Sequence, residues 1–331
     1  MTTPLPESLL QATLRETFGA GCCLVNVQRL GGGTRKQVFR LDLNPPFPPV
    51  VLLAWHNERD YFNEQTDPLG PLSDAMAPRL FSANTQLLMA NGVKVPKIYS
   101  LDDSRSQVPF AYALVEMVQG MSFNQFRAAQ PGIDVHPILE KMKETLLRMH
   151  SIQRQEWGTV LETEPHAEDY ADQTMLVETL PDLHRLAQVH AGVKQKEGPI
   201  YEHLQRLRAQ ITRRTEYSFI HNELGPDEHF IITGQGEITM LDVDGCHFAD
   251  IEREYAYLRL RFGEYYPALA HPDLDPLRMD FYQMCLHIMA SYGHYLLLAQ
   301  GHPGAEDLRR IYEGNANKVI VFLAIPSPKI G

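Results

Sequence analysis

The first third of the chain alternates apolar and polar residues with a period of two, the pattern of strands that bury one face. Such runs cover residues 25–30 and 38–43, on either side of a glycine cluster, and an unbroken apolar run follows at 50–55. A strand, a glycine turn and a second strand predict a β-hairpin, and the continuous run predicts a strand buried on both faces. Further strands are predicted at 95–101 and 110–118.

Beyond residue 135 the apolar positions recur at helical spacing. Helices are also predicted near the N-terminus, so the full set is 5–18, 79–90, 137–151, 176–192, 198–213, 251–262, 276–299 and 305–322. Short strands within 217–243 interrupt the helices, and the polar segments 57–77 and 155–176 are predicted as loops, the second as a mobile insertion. The pattern predicts an α+β protein with an antiparallel-sheet lobe at 1–118 and a larger, mainly helical lobe at 119–331.

Composition narrows the function classes. The chain has 331 residues and a net charge of −11, which argues against a nucleic-acid partner because such partners need a basic face. No run approaches the roughly 20 apolar residues of a membrane span, and no secretory signal is expected. Four scattered cysteines predict reduced thiols and a cytoplasmic location. The acidic balance leaves a cationic substrate open, although it also serves solubility.

The segment 217–244 has the highest density of candidate catalytic and metal-binding residues. A short apolar strand leads into His221-Asn-Glu223, two strands flank Gly234-Gln-Gly236, and the segment ends at Asp242-Val-Asp244. Carboxylates at the ends of short buried strands suit a hard cation such as Mg²⁺, which prefers oxygen ligands. The spacing therefore predicts a metal-phosphate site.

Motifs occur in order along nearly the whole chain. They are a glycine-rich segment at 29–40, Gly-Val-Lys-Val-Pro-Lys-Ile at 92–98, Tyr-Ala-Leu-Val-Glu-Met-Val-Gln-Gly at 112–120, Leu-Leu-Arg-Met-His-Ser at 146–151, Phe-Ile-His-Asn-Glu-Leu-Gly-Pro at 219–226, Met-Leu-Asp-Val-Asp at 240–244 and Ala-Asp-Ile-Glu-Arg-Glu-Tyr-Ala at 249–256. Together they resemble the aminoglycoside phosphotransferase family, which has the protein-kinase-like two-lobed fold. The resemblance implies an ATP-dependent, Mg²⁺-requiring phosphotransferase that acts on a hydroxyl of a small or peptidic acceptor.

The resemblance also implies a nucleotide site in the first lobe. Glycines let backbone amides approach a phosphate without hindrance from a Cβ atom. Backbone groups at the hinge between the lobes would meet the adenine. The residues placed at these positions are Gly31, Gly32, Gly33, Thr34, Arg35, Glu116 and Val118.

Glu223 stands where the family has its catalytic aspartate. A glutamate carries the same carboxylate about 1.5 Å further out, and a misplacement near 1 Å can cost roughly 100-fold in rate. Asp242 is the first candidate metal ligand and Asp244 the second. The family's asparagine, a further metal ligand, corresponds either to Glu228 or to His229.

Two further positions depart from the family. Leu53 occupies the place of the basic residue on the third strand, and the helix 79–90 has Phe81 near the place of its glutamate partner. Arg35, Lys36, His56 and Arg59 are the other sources of positive charge for a phosphate. Glu254 replaces the aspartate that anchors the catalytic loop. These departures leave open the alternative of a catalytically impaired, kinase-fold binding or scaffold protein.

Overall fold

The computed structural model describes residues 3–32, 36–56, 76–162, 171–227 and 229–323. The helices of the described residues are α1 Glu7–Phe18, α2 Ala77–Ala90, α3 Phe123–Ala129, α4 His136–His150, α5 Ala171–Val189, α6 Ala191–Lys194, α7 Glu197–Gln210, α8 Ile251–Phe262, α9 Tyr266–Leu269, α10 Pro276–Ala299 and α11 Ala305–Phe322. The strands are β1 Leu24–Gly32, β2 Gln37–Leu43, β3 Val50–Ala54, β4 Ile98–Asp102, β5 Tyr112–Glu116, β6 Gly120–Met121, β7 Gln153–Arg154, β8 Tyr217–Ile220, β9 Phe230–Thr233, β10 Ile238–Met240 and β11 His247–Ala249.

The chain forms two compact units. The first comprises Met1–Met149, Thr159–Leu161 and Pro226–Cys246, and the second comprises His150–Gly158, Glu162–Gly225 and His247–Gly331. The predicted lobe boundary at 118 does not coincide with this division, because residues 119–149 and 226–246 also belong to the first unit.

The first unit is built on an antiparallel sheet with the strand order β1-β2-β3-β5-β4. Strand β2 alternates buried and half-buried positions, whereas every residue of β3 is buried, as the alternating and continuous apolar patterns predict. One face of the sheet packs Leu41, Leu52 and Leu114 against Leu10 and Leu14 of helix α1. The predicted hairpin at 25–43 is therefore confirmed.

A smaller sheet, β10-β9-β6, explains why 226–246 belongs to the first unit. Gly120 of β6 pairs with Thr233 of β9, and a Cβ atom on Gly120 would lie 2.3 Å from the carbonyl oxygen of Ile232. Only glycine fits this approach. The Met240 amide donates to the Lys94 carbonyl, which ties β10 to the chain before β4.

The second unit is mainly helical and includes the sheet β11-β8-β7. Helix α10 begins at a cap in which the Asp275 carboxylate accepts from the backbone amides of Leu277 and Arg278. Buried acids of this unit are paired: Asp250 accepts from Tyr282 at 2.6 Å and from Arg278 at 2.5 Å. Partners of this kind are needed because an unpaired buried charge is costly.

The predicted α+β class is confirmed, and helices α8, α10 and α11 have the predicted bounds. Helix α5 begins at Ala171, so the prediction of a loop to residue 176 was wrong. The first turn of this helix is mostly polar and therefore does not show the amphipathic period. Strands β6, β7 and β11 were not predicted because two or three residues are too few to show a period. No helix in the described part of the chain is long and apolar enough to cross a membrane.

Candidate active site

Two carboxylates converge on one cation just after strand β10. Asp242 has φ 60° and ψ 49°, in the left-handed region, which aspartate tolerates better than most residues. The chain then enters a short 3-10 turn at Val243–Gly245. The Lys36 ammonium donates to Oδ1 of Asp242 and, at 2.6 Å, to Oδ1 of Asp244. Lys36 directly precedes strand β2, so a residue at the start of this strand joins two acids about two hundred positions later in the chain.

The Lys36 side chain is only 11% exposed, while that of Asp242 is 41% exposed and that of Asp244 is 14% exposed. Burial by itself lowers the pKa of Lys36, but the charges of Asp242 and Asp244 outweigh it and raise this pKa above its ordinary value. Burial raises the pKa of Asp244, and the Lys36 charge opposes that rise. The lysine is thus held in its charged form by the pair of acids.

Neighbouring side chains fix the two acids. Trp55 donates from its indole nitrogen to Oδ2 of Asp244 at 3.3 Å. The buried His229 places Nε2 3.8 Å from Oδ2 of Asp242. Asn84 of helix α2 donates from its amide nitrogen to the carbonyl oxygens of Val243, at 2.7 Å, and Cys246, at 3.1 Å. These bonds secure the turn that carries Asp244.

An aromatic pair occupies the region where the family resemblance implies an ion pair. The rings of Trp55 and Phe81 have centroids 5.5 Å apart, and both residues are buried. Leu53, two residues before Trp55, is also buried and pairs with Val38. Positive charge is supplied instead by Lys36, whose Nζ lies 5.8 Å from the Phe81 ring centroid.

The donor set suits a hard divalent cation. The Oδ1 atoms of Asp242 and Asp244 already meet at one positive charge, the Lys36 ammonium, and carboxylate oxygens are the ligands that Mg²⁺ prefers. Glu228 lies outside the described residues. Among the residues that the structure describes, no group of three or more His, Cys, Asp or Glu side chains gathers as a metal cluster.

The predicted catalytic loop lies in the second unit, directly after strand β8. Asn222 has φ 78°, a left-handed conformation open to asparagine. The fully buried Glu254 accepts from the backbone amides of His221, at 2.5 Å, and Asn222, at 3.1 Å. Burial tends to raise the pKa of Glu254, but His150, His221 and the Asn222 amide together lower it. Glu254 therefore anchors this loop as a carboxylate.

Glu223 is exposed and has basic residues beside it. Arg261 of helix α8 donates from its guanidinium to the Glu223 carbonyl oxygen at 2.6 Å. A Cβ atom on Gly225 would lie 2.6 Å from Nε of Arg261, so the glycine admits this arginine. Burial, followed by the Glu223 charge, raises the pKa of Tyr257 to about 12, while Arg253 and Arg261 oppose the rise.

The remaining predicted residues are dispersed. Gly31 and Gly32 are the last two residues of β1, whereas Gly33, Thr34 and Arg35 lie outside the described residues. Glu116 ends β5, and its side chain accepts from the Lys97 amide at 3.1 Å. Val118 lies two residues after Glu116 and is half-buried.

Sequence reasoning missed three contacts of the acid pair. The sequence identifies Lys36 only as one of four candidate cations and does not single out Trp55 or Asn84. A lysine beside a glycine cluster was the available signal for Lys36. The sequence carries no comparable signal for Trp55 or Asn84, because their bonds join positions more than 150 residues apart.

The chain belongs to the phosphotransferase enzyme family (APH), whose model matches residues 49–282. A search of the curated proteins finds no match to this sequence. Among solved structures, the chain is similar to an apo thermostable mutant of aminoglycoside phosphotransferase APH(4)-Ia, with a TM-score of 0.64, 14% identity and coverage of 94% of this chain and 98% of that one.

Two further solved structures are similar over most of their length. A ternary complex of APH(4)-Ia with ADP and hygromycin B has a TM-score of 0.61, 13% identity and coverage of 96% and 99%. Choline kinase LicA from Streptococcus pneumoniae has a TM-score of 0.61, 13% identity and coverage of 96% and 98%. At these identities the likeness shows the kinase-like fold.

Proposed function

We propose that this chain is an ATP-dependent, Mg²⁺-requiring phosphotransferase that transfers the γ-phosphate to a hydroxyl of a small acceptor. The observation that carries the proposal is the convergence of Asp242 and Asp244 on one cation, directly after β10. Family membership and the nucleotide in the similar APH(4)-Ia complex support it. A peptidic acceptor would be compatible with the same chemistry.

In this proposal Asp242 and Asp244 hold the metal, with Glu228 as a third oxygen donor. Bound Mg²⁺ supplies charge neutralisation on the nucleotide phosphates. The segment Gly31, Gly32, Gly33, Thr34 and Arg35 covers the phosphates. The backbone at Glu116 and Val118 meets the adenine.

Glu223 orients the acceptor hydroxyl and takes its proton as the hydroxyl oxygen bonds to the γ-phosphorus and ADP leaves. Its added methylene has a counterpart in the anchor, because Glu254 is also longer than the family's aspartate and holds the amides of His221 and Asn222. In this proposal the longer anchor sets the loop backbone back, which compensates for the longer catalytic acid and keeps Glu223 functional.

The charges next to Glu223 include both signs. Arg261 bonds to the Glu223 backbone, and the acids Glu223 and Glu178 act on the ionisation of Tyr257 together with Arg253 and Arg261. Acidic and basic charges are thus mixed around Glu223, and this setting does not select the charge of the acceptor.

Stabilisation by ligand gives the first test. ATP with Mg²⁺ at about 100 times the dissociation constant should raise the free energy of unfolding by about 2.7 kcal/mol. Asp242→Ala should abolish both this stabilisation and ATP consumption, and Asp103→Ala, which removes an exposed acid of the same unit, should leave both unchanged. ATP turnover that survives in Asp242→Ala would show that the metal site is wrong.

The alternative of a binding or scaffold protein is favoured by one observation, the absence of the strand-three basic residue at Leu53. It predicts nucleotide stabilisation without turnover, or no response to nucleotide at all. Glu223→Gln separates the two functions, because it should lower ATP consumption at least about 100-fold in an enzyme and change nothing in a scaffold.

A further inference from the structure

The positive charge of the first unit lies at an unusual place for a kinase-like site. Strand β3 is buried throughout and carries no charged residue. In the β2–β3 register Gln37 pairs with Ala54, so Lys36 lies one step beyond, level with Trp55, which directly follows β3. The ammonium thus approaches the acid pair from the neighbouring strand.

Lys36 forms a largely buried ion pair and is not a solvated loop lysine. Its side chain is almost covered, and its ammonium bonds to both Asp242 and Asp244. A lysine this buried keeps its charge only when carboxylates offset the loss of water. Any ligand that binds these two carboxylates in place of Lys36 must therefore provide the ammonium with another anion.

Metal and lysine compete for the same oxygens. Lys36 bonds to Oδ1 of Asp242 and Oδ1 of Asp244, which are atoms that a divalent cation would also use. Like charges repel at such short range, so a metal that binds alone must displace the ammonium and leave it unpaired. A nucleotide phosphate removes this penalty because it offers Lys36 a new partner.

We propose that Lys36 is the phosphate-binding lysine of this chain and, without nucleotide, the counter-ion of Asp242 and Asp244. The inference rests on the proposed function, since it assumes that metal and nucleotide meet at this pair of acids. Lys36 then couples the two ligands: each binds better when the other is present, by the same factor. Lys36, one residue before β2, thus replaces the basic residue that β3 lacks.

Metal binding without nucleotide tests the counter-ion role. Mn²⁺ binding is measured by electron paramagnetic resonance on the wild type, Lys36→Met and Lys36→Gln. Both variants should bind Mn²⁺ at least about tenfold more tightly than the wild type, because two carboxylates lose a competing cation. Lys36→Gln keeps an N–H donor toward the acids, so it preserves the local fold if Lys36→Met does not. The matched control is Lys94→Met, which breaks an exposed ion pair with Glu237 in the same unit and should leave Mn²⁺ affinity unchanged.

Nucleotide binding without metal tests the phosphate role. ATP in the presence of EDTA is titrated by calorimetry into the same proteins. Lys36→Met and Lys36→Gln should bind ATP at least about tenfold more weakly than the wild type, as expected for the loss of one charge-assisted contact. Lys36→Arg should retain most of the affinity. The opposite changes for metal and for ATP separate this role from general damage, which would weaken both ligands.

The outcomes distinguish this inference from the proposed function. If the wild type binds ATP with Mn²⁺ but the Lys36 variants match Lys94→Met in either titration, the Lys36 assignment is wrong and the proposed function stands. If the wild type binds no ATP with or without Mn²⁺, the proposed function fails and the assignment fails with it.

Discussion

Removing the carboxylate of Glu254 should destabilise the second unit and release the loop of Glu223. Glu254 is fully buried, and it is the acceptor for two consecutive backbone amides, those of His221 and Asn222. In Glu254→Ala both amides lose their acceptor. Their burial keeps solvent from replacing it.

The magnitude follows from the two donors. A buried polar group left without its partner costs about 1–3 kcal/mol, so two amides give about 2–6 kcal/mol. Glu254→Gln keeps one oxygen that can accept, so it should cost less, about 1–3 kcal/mol for the lost charge-assisted strength. Glu254→Ala should therefore lower the free energy of unfolding more than Glu254→Gln does.

Urea unfolding followed by circular dichroism measures the free energy of unfolding of each variant. Glu202→Ala is the matched control, because Glu202 is exposed on helix α7 of the same unit and should change stability by no more than about 0.5 kcal/mol. A Glu254→Ala protein within about 1 kcal/mol of this control would refute the anchoring role. The reasoning would fail equally if Glu254→Gln proved the more damaging of the two.

Three other predictions concern backbone and buried groups. Because Asn222 has φ 78°, Asn222→Ala should cost about 1 kcal/mol and Asn222→Gly only a few tenths in urea unfolding; equal losses would contradict the conformational argument. Gly120→Ala should lower stability by at least about 2 kcal/mol, since its Cβ would lie 2.3 Å from the Ile232 carbonyl oxygen, and a neutral result would mean that the β6–β9 pairing is misplaced. Burial lowers the pKa of His287 to about 4. Below pH 6.5 the unfolded chain therefore binds a proton at this residue and the folded chain does not. The free energy of unfolding should fall by about 3 kcal/mol between pH 6.5 and 4. His287→Gln should remove that loss, and a stability difference from the wild type that stays constant over this range would rule it out.

Much of the fold could be predicted because it depends on local patterns. The long amphipathic helices and the hairpin at 25–43 follow from apolar period alone. The position of the acids after β10 was also predictable, because a short apolar run ended in Asp242-Val-Asp244. What local pattern could not supply was the assignment of 226–246 to the first unit, which depends on pairing between Gly120 and Thr233 across more than a hundred residues.

The candidate site was less accessible to sequence reasoning for the same reason. The resemblance identified the missing cation at Leu53 and the missing acid at Phe81, but not what replaced them. The replacement by Lys36 depends on how the β2–β3 register places one side chain beside two distant acids. Glu254 had two interpretations, a surface acid or a loop anchor, and only its burial and its two amide donors decide between them.

The aromatic pair of Trp55 and Phe81 makes it hard for the positive charge now carried by Lys36 to return to strand β3. Both side chains are buried, at 2% and 4% exposure. Returning a lysine to residue 53 alone, or a glutamate to residue 81 alone, would bury one charge without the ion-pair partner that the family supplies, at a cost of several kcal/mol. A path back to an ion pair would need both substitutions together, whereas each intermediate would be selected against. We therefore expect relatives that share both aromatic residues also to share the lysine before β2.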